Sequence, residues 1–421
     1  MTKSKDTDVL IIGAGVGGLI LALSLKEIGV NCRIYESVGE MKAVGAGINL
    51  LPHAVRELDE LGLVPALDKV GIRTKDASYF NKFGQLIYTE PAGTAAGYPW
   101  PQFSIHRADM QKVFLEATLE RLGDDAVMLG HRCTGIDQDT DGVTAHFTDR
   151  NDEPLPDVTA SVVIGCDGIH SVLRRQFYPN EGDPVYSGIT IWRGVTPFKP
   201  FLSGANTIRI GWMTVGKLMV YPVRNNIDED GNQLMNWVAS QERPRPASYD
   251  WNKEARLEDF FEPYKDWKFD WLDVPSLLQK TERPLIFPMV DRDPVPTWTF
   301  GRATLLGDAA HPMYPRGSNG AGQAILDARI LTGCFKRRGI TPEALQEYDK
   351  ERVEATGKVV LMNRANPPDA ILREVHERSG GKPFDDIHDI ISEQELKDIS
   401  ERYKQVAGFD VERLKSRQSY A

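Results

Sequence analysis

The sequence predicts an α/β fold in which a Rossmann-like unit is interleaved with a mainly antiparallel β-sheet domain and followed by C-terminal helices. Three observations predict it. An apolar strand runs into G13-A-G-V-G-G18 and then a helix, the stretch from about Tyr186 to Val290 is rich in tryptophan and β-branched residues, and helical periodicity returns after Gly320.

The first unit reads as strand V9-L-I-I12, a glycine turn, helix L19-I-L-A-L-S-L-K-E-I, and strand C32-R-I-Y-E36. Gly13 permits the tight turn, Gly15 lets backbone approach a pyrophosphate, and Gly18 lets helix and strand pack closely. The helix N-terminus adds amide donors and a positive dipole end. Glu36 closes the unit where a carboxylate can accept the ribose hydroxyls of an adenosine.

Alternating strands follow from about Asp76 to Thr89, and helical character is expected from Ser104, as cap, through M-Q-K-V-F-L-E-A-T-L-E-R-L. V127-M-L-G, T134-G-I-D and V143-T-A-H-F-T read as short antiparallel strands, and S161-V-V-I-G-C-D-G as a buried strand ending in Asp-Gly. The aromatic region contributes I189-T-I-W-R-G-V-T, T207-I-R-I-G-W-M, L218-M-V-Y-P-V and M235-N-W-V. Helices are expected from Gly320 to about Arg337 and from Thr341 towards Asn366, where Pro367 and Pro368 interrupt, and E393-Q-E-L-K-D-I-S-E-R-Y-K-Q-V reads as a surface helix. These breaks divide the chain into a discontinuous dinucleotide domain (1–75, 104–183 and 291–366), a sheet domain (76–103 and 184–290) and a helical arm (367–421).

Composition narrows the function. The 421 residues are 41% hydrophobic and 26% charged, as in a soluble protein of two or three domains. A net charge of −10 without a basic stripe excludes a nucleic-acid surface and leaves small molecules as partners. Cys32, Cys133, Cys166 and Cys334 are widely separated and mostly in apolar runs, so reduced thiols and no metal site are expected. The first residues run straight into a strand and no apolar run approaches a membrane span, which points to a cytoplasmic protein, monomer or homodimer, with no membrane partner.

Three separated motifs need one ligand: G13-A-G-V-G-G18 with Glu36, C166-D-G-I-H-S-V-L-R-R175, and G307-D-A-A-H-P-M-Y-P-R-G-S-N-G320. Together they resemble the aromatic-ring hydroxylase family of single-component flavoprotein monooxygenases, with the p-hydroxybenzoate hydroxylase fold, from roughly Asp8 to Asn366. I189-T-I-W-R-G-V-T, P288-M-V-D-R-D-P294 and G301-R-A-T-L-L-G-D-A-A-H are most similar to its phenazine hydroxylase branch.

The resemblance implies a non-covalent FAD. Asp308 would accept from its ribityl chain, and the amides of Gly320 and Ala321 would stabilise negative charge at the flavin N1 and O2 edge. It carries Arg107 and Gln111 over as FAD contacts, Asp167, Gly168 and Arg174 as an Asp-Gly motif serving FAD and NAD(P)H, and Gly47 in the loop where the flavin ring swings. Pro315 would line the pocket beside the flavin ring, and His311 would either face flavin or substrate or hold a hydrogen-bonded structural place. Trp192, Arg193, Tyr221 and Met289 are the candidates for the substrate pocket, and Arg193 could pair with a substrate carboxylate or with an acidic neighbour in the protein.

The implied reaction uses NADH or NADPH to reduce FAD and O2 to form a C4a-hydroperoxyflavin, which hydroxylates an aromatic or N-heteroaromatic ring, with or without loss of CO2. The alternative on the same scaffold is a flavin-dependent reductase or dehydrogenase that inserts no oxygen.

Overall fold

A computed structural model of the chain describes residues 5–41, 46–246 and 253–420. Two sheets organise it. The first has eight strands, with Thr299–Phe300, Ala303–Leu305, Pro154–Gly165, Thr7–Ile12, Cys32–Tyr35 and Val127–Met128 side by side; Val143–Thr148 pairs antiparallel with Pro154–Gly165, and Arg132–Gln138 pairs antiparallel with Val143–Thr148. Its centre is parallel, Val9 facing Cys32 on one side and Val162 on the other. Parallel strands covered on both faces must be apolar throughout, which is why V9-L-I-I12 and V162-V-I164 are almost entirely buried.

The second sheet has seven strands in the order Leu285–Asp291, Val185–Phe198, Gln233–Glu242, Gly216–Arg224, Asn206–Trp212, Asp76–Phe80 and Leu86–Pro91. All its pairs are antiparallel except Asn206–Trp212 with Asp76–Phe80. Alternation gives this sheet two faces. One carries Trp192, Ile208, Ile210, Leu218, Val220, Met235 and Trp237 into a core closed by Phe260, Tyr264 and Trp267. The other carries Ile191, Arg193, Lys217, Met219, Tyr221, Val238 and Ser240 into a cavity between the two sheets.

A small third sheet joins Gly47–Leu50, Phe103–His106 and Gly71–Arg73. Ser104 therefore lies in a strand rather than capping a helix, its Oγ 2.7 Å from Asn49 Oδ1, and the helix Arg107–Leu122 starts after His106. The correction follows from tertiary pairing, because Asn49 supplies the partner that a capping role would have sought within the helix.

The helices Gly320–Arg338 and Pro342–Ala365 cover the first sheet, and Ala370–Arg378, Glu393–Ala407 and Val411–Ser416 follow. Glu393–Ala407 is less exposed than its charge suggests. Tyr403 is buried, its hydroxyl donates to Asn363 Oδ1 at 2.9 Å, and a side chain on Gly317 would overlap it. Among the described residues no helix is long and apolar enough to cross a membrane, and the four cysteines are free thiols.

Trp192 is 3% exposed and stacked on Phe260 at 5.6 Å. Truncation to Ala should cost about 3–5 kcal/mol of stability, as for other buried aromatics, with a smaller loss for Trp192→Phe. Chemical denaturation of both variants checks this, and an unchanged midpoint for Trp192→Ala would remove the residue from the core.

Candidate active site

The cavity, about 360 Å³, is built mainly from backbone at one end and side chains at the other. At the first sheet the turn after Thr7–Ile12 brings Gly15, Val16 and Gly17 to its wall. Gly13 has φ +105°, and a Cβ there would lie 2.5 Å from the Cys166 carbonyl oxygen, while one on Gly18 would overlap the Gly13 carbonyl. A Cβ on Gly15 meets nothing within 4 Å, so that position is open towards the cavity. The helix Val16–Glu27 starts with no side-chain cap, leaving its first amides to a ligand.

Glu36 and Gln111 hold this turn from outside the cavity wall. Glu36 Oε2 accepts from the Ala14 amide at 2.8 Å, and Gln111 Nε2 donates to the Ala14 carbonyl at 3.3 Å. Arg107, exposed at the start of its helix, lines the cavity, and no described acidic side chain pairs with it.

A second helix begins at the same cavity. Asn319 precedes Gly320–Arg338 without capping it, and Gly320 and Ala321 are in the wall. Asp308, exposed on the turn Gly307–Ala309, has no described hydrogen-bond or ion-pair partner, and its Oδ1 would lie 3.9 Å from a Cβ on Gly320. Asn319 is fixed from behind, with His53 Nε2 donating to its Oδ1 at 2.8 Å and the His53 ring stacked on Phe409. Burial, helped by the charge of Arg417, pushes the His53 pKa down to about 3 and keeps the ring neutral.

Gly47 enters from the third sheet. Its amide donates to Asn236 Oδ1 at 2.6 Å, and a Cβ would lie 2.6 Å from the Tyr221 ring. Gly168 and Pro315 also line the cavity, as do Arg193, Tyr221 and Met289. Of the loop V44-G-A-G-I, Val44 and Gly45 lie outside the described residues.

Several expected contacts lie elsewhere. Trp192 faces the core of the second sheet, because Ile191 and Arg193 on either side of it point to the cavity. Arg174, only 2% exposed, pairs with Glu181 and donates to the carbonyls of Asp293, Ala309 and Ala310, so it braces the Gly307 loop from beneath. His311 is buried with Nε2 2.5 Å from Asp327 Oδ2, and Asp327 also accepts from the Gly307 amide and from Arg352 Nε. Asp167 Oδ2 accepts from the Val172 amide at 2.7 Å, while its buried Oδ1 has no partner among the described residues; burial raises its pKa from the ordinary value.

Residues absent from the sequence reading complete the floor: Met219, Val238, Ser240 and Ile191, with Lys217 and Arg316 at one end. Lys217 and Arg316 both pair with buried Asp369, whose carboxyl they hold down to about 2 against its burial. The signal for Met219 and Lys217 was the alternation around Tyr221, since 217, 219 and 221 share one strand face.

The arrangement fits FAD. Two uncapped helix N-termini can take a pyrophosphate and the electron-rich flavin edge, and glycines stand wherever a side chain would fill the space. The unpartnered Asp308 carboxylate is free to accept from ribityl hydroxyls.

Residues 6–362 match the model of the FAD binding domain family. The chain is 41% identical over 371 residues to a phenazine 1,6-dicarboxylic acid hydroxylase of Lysobacter antibioticus, covering 86% of this chain and 91% of that protein. It is 30% identical to a 6-hydroxynicotinate 3-monooxygenase of Bordetella bronchiseptica, covering 85% and 91%. The solved structure of Klebsiella pneumoniae HpxO complexed with FAD and uric acid matches with a TM-score of 0.73 at 22% identity, covering 97% of both chains.

Asp308→Ala should weaken FAD retention by about 1.5–3 kcal/mol through loss of charge-assisted hydrogen bonds. Equilibrium FAD titration of the apoprotein measures it, and unchanged affinity would detach Asp308 from the cofactor. His53 generates a pH prediction. Its folded pKa, about 3, is below its ordinary 6.5, so its contribution is fully present above pH 6.5 and is lost as pH falls towards 3. Urea midpoints at pH 7 and pH 5 should fall less in His53→Gln than in the parent; an equal fall would mean that the buried ring is not a source of acid lability.

Proposed function

The chain belongs to the FAD-binding-domain family and is an FAD-dependent aromatic monooxygenase with NAD(P)H as electron donor; from that premise we propose that its substrate is a carboxylated fused or N-heteroaromatic ring, hydroxylated over the apolar floor of the cavity. Arg193 carries the proposal. Its guanidinium lies 4.1 Å from the centre of the Phe287 ring, its buried Nε has no acceptor, and no described carboxylate pairs with it.

Burial, with the charge of Arg107 added, pushes the Arg193 pKa down to about 10, so the group is still cationic at neutral pH. A partly buried cation without a counter-ion is costly, and a ligand carboxylate would satisfy it. Ile191, Met219, Val238 and Met289 supply an apolar surface for a flat ring beside it.

FAD, when bound, supplies the electron transfer from NAD(P)H and the activation of O2. The chain's part is placement. Gly15 to Gly17, Arg107 and Asp308 would hold the nucleotide and ribityl parts, and Gly47, Gly320 and Ala321 would border the ring with backbone. Pro315 would close the space between ring and substrate, and Arg193 would set the orientation of the substrate carbon presented to it. Glu36, Gln111, Asp167 and Arg174 would act on the loops that form the site, and His311 would fix the Gly307 loop through Asp327.

Two relatives support this reading by their names, one acting on a phenazine dicarboxylic acid and the other on a hydroxynicotinate, both carboxylated N-heteroaromatics. Arg193→Met should weaken binding of aromatic carboxylates by about 10–100-fold and of uncharged phenols much less, the scale of one charge-assisted contact. Titration of the flavin spectrum reads both. With labelled O2, the product of a binding carboxylate should carry one labelled oxygen, whereas a product with added hydrogen and no label would identify a reductase.

A further inference from the structure

One row of the seven-stranded sheet carries Arg193, Val238, Met219 and Arg209 on neighbouring strands, all on the face opposite the Trp237 core. At about 4.8 Å per strand, the two arginines are roughly 14 Å apart along the sheet. The row is apolar in the middle and cationic at both ends.

Arg209 does not line the cavity that Arg193 lines. It lines a second one of about 80 Å³ beneath the C-terminal arm, together with Thr207, Tyr79, Tyr403 and Lys404, and the two cavities share Asn49 and Ser318 in their walls. This niche is too small for a ring but has room for a carboxylate, a halide or about two waters.

Its polar groups are unsatisfied in one direction. Arg209 is 6% exposed, and among the described residues its Nη1 has no acceptor and its guanidinium lies over the Tyr79 ring at 5.3 Å. Thr207, two residues away on the same face, is 2% exposed and its Oγ1 has no partner among the described residues. The one carboxylate in the described lining, Glu90, is occupied by Lys404 at 2.9 Å, Ser400 at 2.5 Å and the Tyr79 hydroxyl at 3.4 Å, and forms no ion pair with Arg209. A guanidinium cannot shed its charge, so an enclosed one with a hydroxyl beside it selects an acceptor, and best an anion.

We propose that the Arg209–Thr207 niche is an anion subsite adjoining the active cavity, filled by a second acidic group of the aromatic substrate or by a free small anion. The first source rests on the proposed function; the second does not.

Two titrations of the FAD-loaded full chain separate the sources. In the first, phenazine-1-carboxylate and phenazine-1,6-dicarboxylate are followed by the flavin spectrum in the parent, Arg209→Met and Thr207→Val proteins. In the second, the melting temperatures of the parent and Arg209→Met proteins are followed as sodium chloride is raised, the variant serving as the control for ionic strength.

If the substrate fills the niche, Arg209→Met should cost the dicarboxylate at least tenfold more affinity than the monocarboxylate, with Thr207→Val shifting the same ratio by a smaller factor. If a free anion fills it, chloride should raise the melting temperature of the parent but not of Arg209→Met, and both phenazines should respond alike. Equal losses for both ligands with no chloride effect would overturn the subsite and leave the niche to water. Should Arg209→Met not fold, Thr207→Val and the parent chloride response decide by the same criteria. Binding of neither phenazine to the parent would overturn the proposed substrate class, while the chloride response would still decide the niche.

Discussion

Two helices begin at one cavity without side-chain caps, and much of the surrounding structure keeps those beginnings bare. An uncapped N-terminus leaves several amides without a partner in the helix, and at a cavity wall a ligand can accept from them in place of water. At Val16 the turn is compressed by glycines that admit no Cβ, and Glu36 and Gln111 grip Ala14 from behind. At Gly320 the preceding Asn319 could have capped the helix, but His53 engages its side-chain oxygen instead. The first helix has a glycine at its cap position, and the second an asparagine whose oxygen is held by another partner.

The loop between the last strand of the first sheet and the second helix is held in the same way. Asp327, fully buried in the helix Gly320–Arg338, accepts from the Gly307 amide, His311 and Arg352, while Arg174 ties the Ala309 and Ala310 carbonyls to Glu181. Asp308 is left pointing out of an otherwise immobilised turn. On the opposite wall, period-two alternation separates an aromatic core from a face that mixes apolar floor with cations. Lys217 and Arg316 are neutralised by Asp369, while Arg193 and Arg209 on the same face pair with no described carboxylate, so the positive potential left on this wall sits at those two side chains.

What could be read from the sequence was what depends on neighbours in the chain. Gly13, Gly15, Gly18 and Gly320 announce themselves because a strand, a tight turn and a helix follow one another within a few residues, and Asp308 stands in a similarly local pattern. Ser104 and Arg174 were misread because their partners, Asn49 and Ala310, are brought in by tertiary packing, and only that packing, through Asp327, chooses the structural alternative for His311. Trp192 failed for a different reason: a strand's alternation shows that 192 and 193 face opposite ways but not which of them faces the ligand. The niche at Arg209 had no signal in the sequence, since it forms only where the C-terminal arm crosses the sheet.

The central claim is that backbone amides hold the cofactor and Arg193 orients an aromatic acid against it. A crystal structure of the FAD-loaded protein with a bound phenazine carboxylate tests it directly. The account predicts the pyrophosphate at the Gly15–Gly17 amides, the flavin pyrimidine edge at Gly320 and Ala321, and the ligand carboxylate about 3 Å from the Arg193 guanidinium. A carboxylate bound elsewhere with Arg193 still unpaired, or a flavin edge away from the Gly320 helix, would contradict it.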